Sequence, residues 1–164
     1  MELEYFTSEY AIKTHDKIIE ISGGNPGIKN FGNIDSPLYH MQNDDYYPTF
    51  EEKLTHLVFS FNKNHGFNDG NKRTSIALGL FFLIVNDLDV FSNKFVMEME
   101  NIAVTVADNI IDKNLLLEII YSIINDEDYS EELKLKIVNA LQLIVKNEET
   151  VELNFGLDNY YQFL

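Results

Sequence analysis

The chain has 164 residues, 45% of them hydrophobic and 24% charged, no cysteine, and a formal net charge of −15 at pH 7. That length predicts a single domain with a real core, and the missing thiols exclude disulfides and thiolate metal sites. So acidic a chain lacks the basic face that nucleic acid demands, and no apolar run is long enough to span a membrane.

The opening Met1-Glu2-Leu3-Glu4 has neither the basic nor the apolar region of a signal peptide, so a cytoplasmic protein is expected. Thr7 or Ser8 can cap a first helix to about Ser22, with Tyr10, Ile12, Ile18, Ile19 and Ile21 as its apolar face and Gly23-Gly24 as its stop. Residues 25–47 read as irregular, with Pro26, Gly27, Gly32 and Pro37. A short helix fits near Asn33–Tyr39, and a small hairpin fits over Leu38–Tyr47 with its turn near Asn43-Asp44-Asp45. Thr49 as N-cap and Glu52 as its capping-box partner start a helix to about Lys63, apolar at Phe50, Leu54, Leu57, Val58 and Phe61.

Ile76 to Val85 is apolar nearly throughout, the pattern of a buried central helix. Asn86-Asp87 breaks it, and Lys94–Val106 repeats apolar residues at helical spacing. Asp112 caps a helix over Lys113–Ile124, and Ser130 caps another over about Glu131 to Lys146. The tail from Thr150, with Phe155, Tyr160, Tyr161 and Phe163, is expected to dock or to form a short strand. The fold class is therefore all-α, about five or six helices with at most one small β-hairpin.

Between the two central helices lies His65-Gly66-Phe67-Asn68-Asp69-Gly70-Asn71-Lys72-Arg73-Thr74. Lys72 and Arg73 stand at a helix start, the partially positive end, where cations are misplaced unless an anion sits among them. Free N–H groups, a glycine and two cations describe a phosphate site. Arg73, the only arginine of the chain, stands where a planar fork suits phosphate. Asp69 adds a hard oxygen ligand, and one carboxylate with substrate phosphates is a usual way to hold Mg²⁺. His65 adds a base suited to neutral pH. Together these point to phosphoryl or nucleotidyl transfer. Phe67 reads as the anchor of the loop, Asn71 as an N-cap, and His15, His40 and His56 as ordinary histidines. A Walker loop is excluded by the glycine spacing and the preceding helix, and zinc chemistry fits badly, with no His-Glu-x-x-His pair and no cysteine.

This stretch resembles the His-x-Phe-x-Asp/Glu-Gly/Ala-Asn-Gly/Lys-Arg motif of the Fic/Doc (Fido) superfamily, and its Asn-Lys-Arg ending is most similar to the death-on-curing (Doc) branch. The resemblance covers roughly residues 4–125, so residues 1–125 are expected to form a Fic/Doc-like domain and 126–164 a helical extension and tail packed on it. It implies a helical bundle with a β-hairpin flap, His65 as the base that deprotonates a target hydroxyl, and Asp69 as the Mg²⁺ ligand. Asn68, Gly70, Asn71, Lys72 and Arg73 would hold the nucleotide, ATP or another triphosphate. Tyr39, His40, Met41 and Gln42 would form a flap that docks an extended target peptide. Gly27-Ile28-Lys29-Asn30 is similar to the family's Gly-Ile-Arg-Asp turn. Lys72 replaces the glycine of many Fic proteins, Ile76 replaces their second arginine, and Gly66 replaces a common proline. Val96 precedes Glu100-Asn101 where self-inhibited members carry Ser or Thr, which points to a separate antitoxin. The expected activity is phosphoryl transfer to a Ser, Thr or Tyr hydroxyl of a protein, by resemblance a translation factor. The alternatives are AMP transfer and a non-catalytic binding module; homo-oligomerisation is left open.

Overall fold

The computed structural model describes residues 2–144 and 156–164. Its elements are α1 (Ser8–Ser22), α2 (Gly32–His40), α3 (Phe50–Lys63), α4 (Asn71–Val85), a 3₁₀ turn (Asp89–Phe91), α5 (Ser92–Ala107), α6 (Lys113–Ile124), α7 (Glu131–Ile144) and α8 (Leu157–Phe163). The protein is all-α, and no strand occurs among the described residues. No described helix is long and apolar enough to cross a membrane.

α4 is the axis. Its Ile76, Ala77, Leu78, Leu80, Phe82 and Leu83 are buried, as an unbroken apolar run requires. α3, α5 and α1 pack around it, and α6 and α2 pack on α3. α7 lies on α5 and α6, and α8 lies on α1, α4 and α5. Tyr160 and Phe163 of α8 are fully buried, so the tail docks as a helix rather than a strand. Phe155 and the expected end of α7 near Lys146 lie outside the described residues.

The caps follow the local chemistry. The Thr7 hydroxyl accepts from Tyr10 N, Asp112 from Leu115 N and Ser130 from Leu133 N. Both halves of the Thr49–Glu52 capping box are made. Gly23, at φ 83°, closes α1 in a conformation open to glycine.

The expected hairpin over Leu38–Tyr47 is absent. α2 runs to His40, and tight turns follow to Tyr46. Three anchors explain this. Met41 is buried in the core. The buried Lys53 ammonium donates to Met41 O at 2.9 Å and pairs with Asp44 at 2.7 Å. Gln42 Nε2 donates to Leu38 O at 2.9 Å. The carbonyls of Pro37, Leu38, Tyr39, His40 and Met41 all accept bonds within the chain.

At Gly79 the backbone of α4 lies close to side chains of both α3 and α5. A methyl placed there would lie 2.6 Å from Phe95 Cζ and 3.0 Å from Val58 Cγ2. Overpacking costs about 1–3 kcal/mol, against about 1 kcal/mol of helix propensity gained on Gly→Ala. Gly79→Ala is therefore expected to lower stability, by about 1 kcal/mol net, read as a lower urea midpoint at unchanged slope.

Candidate active site at the start of the central helix

The loop from His65 to Gly70 has no secondary structure of its own, so other elements must satisfy its polar main chain. The segment after α1 does this. Lys29 N and Asn30 N donate to Gly66 O at 2.8 and 3.0 Å, and Asn68 N donates to Gly27 O at 3.0 Å. Ile28 and Phe67 form an isolated antiparallel bridge. Asn68 Nδ2 donates to Pro26 O at 3.0 Å. The Gly27–Asn30 turn is thus the second wall of the loop.

Two side chains fix the loop from within. Asn71 Nδ2 donates to Phe67 O, and Asn71 Oδ1 accepts from Phe67 N, both at 3.0 Å. This replaces the expected N-cap role: the cap position belongs to Gly70, at φ 76°. Phe67 is buried, and its ring stacks on His15 with centroids 3.7 Å apart and planes within 3°. His15 is itself 0% exposed, and its Nε2 donates to Asp69 O at 2.9 Å, since a carbonyl only accepts. Its Nδ1 lies 3.1 Å from Asp16 Oδ1.

Asp69 accepts from Asn25 N at 3.1 Å and from Gly70 N at 2.7 Å. These main-chain donors, Asn25 first and then Gly70, hold its carboxyl below the usual carboxylate range, with smaller help from Arg73 and Lys72. Arg73 Nη1 donates to Ser22 Oγ and to Gly23 O, the latter at 2.8 Å, and Nη2 lies 3.8 Å from Asp69 Oδ1. α1 has no basic residue in its last turn, so Arg73 supplies the cation that its C-terminal dipole favours. Part of the charge misplaced at α4 is thereby explained by the fold. Lys72 is different: it has no ion pair among the described residues, and the first turn of α4 carries no acid. His65 is exposed and sits at φ 48°, the left-handed region that favours glycine.

The structure therefore brings His65, Asn68, Asp69, Gly70, Asn71, Lys72 and Arg73 together on one loop and helix start. Of the expected flap, Tyr39 and His40 are exposed, whereas the Met41 side chain faces the core. His56 lies elsewhere: its Nδ1 accepts from Lys113 Nζ at 3.0 Å and its ring stacks on Tyr47. His15, Gly24 and Asn25 were missed by sequence reasoning. A methyl on Gly24 would lie 2.7 Å from Asp69 Oδ2, so the glycine doublet that reads as a helix stop is also the near wall of the site. His15 gave a weak signal: it falls on the buried face of α1 with Ala11 and Ile18.

A single half-exposed carboxylate fits Mg²⁺ only together with substrate phosphates and water. That agrees with the described residues, among which no three His, Asp or Glu side chains converge. Asp69 fits the hard-ligand role because its remaining lone pairs are open and its environment favours the charged form.

The sequence model of the Fic/DOC family matches residues 5–83. The chain is also similar to the protein kinase doc of Escherichia phage P1, 32% identical over 95 residues that cover 56% of this chain and 75% of that protein.

Two outcomes test this geometry. Asn71→Asp keeps the acceptor for Phe67 N but leaves Phe67 O without its donor, at about 1–3 kcal/mol. A carboxylate there regains about 0.3–1 kcal/mol from the helix dipole, so net destabilisation is expected in urea titration. Burial first, then the charges of Lys113 and His40, push the His56 imidazole down to about 4. The unfolded chain takes up that proton near 6.5 and the folded chain only near 4, so stability falls as pH drops through that window. His56→Gln is expected to flatten the loss between pH 6.5 and 4, measured by urea midpoints across pH.

Proposed function

This chain belongs to the Fic/DOC family, and on that premise we propose that it transfers the γ-phosphoryl group of ATP to a Ser, Thr or Tyr hydroxyl of another protein. The observation that carries the reading is the start of α4, with no acid in its first turn and a Lys72 that has no ion pair among the described residues, directly after the Asp69 carboxylate, whose main-chain donors favour its charged form. Its unbonded N–H groups and Lys72 would receive the terminal phosphates. Arg73 is anchored at Nη1 and presents Nη2 beside Asp69. Mg²⁺, held by Asp69 and the phosphates, would supply charge neutralisation.

His65 then acts as base. The target hydroxyl gives its proton to the imidazole, its oxygen bonds to the γ-phosphorus, and the bond from that phosphorus to the β,γ-bridging oxygen breaks, releasing ADP. Charge that develops on the transferred group meets Lys72, Arg73 and the α4 N–H groups. The left-handed conformation of His65 costs about 1–2 kcal/mol, and strain of this kind concentrates at functional positions.

Phosphoryl rather than AMP transfer is favoured by Lys72 in place of glycine, and by Ile76, which is fully buried and carries no charge for the far end of a triphosphate. The similar phage P1 protein is named a protein kinase. Gly70, where some Doc proteins have alanine, is the one feature that leans toward AMP transfer. On the same reading the protein works in the cytoplasm as a toxin against a translation factor. Restraint would come from a separate antitoxin, a reading supported by the buried Val96 at the place of the self-inhibitory Ser or Thr.

Parallel reactions with α- and γ-labelled ATP test the transfer: label in the target from the γ-position alone is expected, and label from α alone means AMP transfer. His65→Gly is expected to slow transfer about 10²–10⁴-fold. Relief of about 1–2 kcal/mol of strain outweighs about 0.4–1 kcal/mol of added unfolded-state entropy, so its stability should equal or exceed the parent's. Turnover at the parent rate, with chemistry limiting, removes His65 from the mechanism.

A further inference from the structure

We propose that His15 is a positioning residue that locks the Asp69–Gly70 peptide, and through it the direction of the Asp69 carboxylate. The chain enters α4 through Gly70 at φ 76° and ψ 9°. A glycine at such a junction lets the preceding peptide rotate between two orientations that differ in the side to which carbonyl and N–H point. In the observed orientation Asp69 O faces into the protein and accepts from His15 Nε2 at 2.9 Å. The N–H of the same peptide then points the other way and donates to Asp69 Oδ1 at 2.7 Å. Rotation of the plane would exchange the two ends. The carboxylate would lose one of its two main-chain donors and face a carbonyl oxygen, and the buried His15 N–H would lose its acceptor.

The imidazole can serve as a fixed reference because its surroundings hold it. It is fully buried, stacked on Phe67, and flanked at its other nitrogen by Asp16. Phe67 is in turn clasped at both main-chain polar groups by Asn71. One hydrogen bond from α1 thus selects between two peptide orientations at the metal-facing residue. A donor left unmade in so buried a place carries its full desolvation cost, which is the source of the bias. The peptide lock stands on geometry alone; its consequence for Mg²⁺ and nucleotide rests on the function proposed above.

His15→Phe keeps a ring on Phe67 and removes the donor, whereas His15→Gln places an amide nitrogen the same number of bonds from Cα as Nε2. In ¹⁵N-labelled full-length protein, His15→Phe is expected to split or broaden the Gly70 amide resonance, and His15→Gln to restore a single one. Calorimetric affinity for Mg²⁺ with a non-hydrolysable ATP analogue should fall roughly tenfold in His15→Phe and return to within about threefold in His15→Gln. A purely structural role would lower the melting temperature and leave the Gly70 amide single, and that result overturns the lock; parental nucleotide affinity in His15→Phe beside a split Gly70 signal overturns its hold on the Asp69 carboxylate. If His15→Phe does not fold, His15→Gln is compared with His15→Asn, whose amide ends short of Asp69 O, and equal Gly70 signals in the two overturn it. A parent that binds no nucleotide refutes the transferase reading, while the Gly70 amide still decides the lock.

Discussion

The main-chain polar groups between α3 and α4 cannot satisfy one another. Gly66 to Asp69 form neither helix nor sheet, yet Gly66 and Phe67 are buried. Each of their amides and carbonyls needs a partner: the Asn71 side chain serves Phe67, and the partners of Gly66 O, Asn68 N and Asp69 O come from far off in the sequence, from Lys29, Asn30, Gly27 and His15. This demand explains why the segment from Gly23 to Asn30 is irregular. A helix there would spend its amides on itself and leave the loop unpaired.

The same requirement shapes the electrostatics. An acidic chain of net charge −15 repels polyanions at long range. Lys72 and Arg73 are gathered at one helix start, and Arg73 is set against the Asp69 carboxylate. Arg73 divides its guanidinium between the end of α1 and the vicinity of Asp69, which couples the two helix termini that flank the site.

Much of the fold is legible because its signals are local. Thr49 and Glu52 lie three residues apart and close their box regardless of what surrounds them. Asp112 caps α6 in the same way, and the bounds Lys113–Ile124 follow. The run Ile76–Val85 has no polar face, so only burial suits it. The segment after Leu38 failed this logic. Its turn-forming Asn43-Asp44-Asp45 suits a hairpin, but Met41 and the Lys53 ammonium are drawn into the core and hold it as helix end and turn. Such a contact depends on residues twelve apart in sequence, and no local pattern announces it.

By itself the sequence determined which groups stand at the loop: an imidazole at His65, a carboxylate at Asp69, cations at Lys72 and Arg73, and a helix start beside them. Those follow from residue type and spacing, which are properties of the chain. Only the tertiary structure decided which of these groups are free and which are spent. It tied Arg73 to α1 and left Lys72 without an ion pair among the described residues, turned Asn71 from cap to clasp, and set His15 behind the Asp69 carbonyl. Residues 15 and 69 are 54 apart, and their contact exists because α1 packs on α4. Burial and partnership are set by what lies across the fold, and a linear reading has no access to that neighbour.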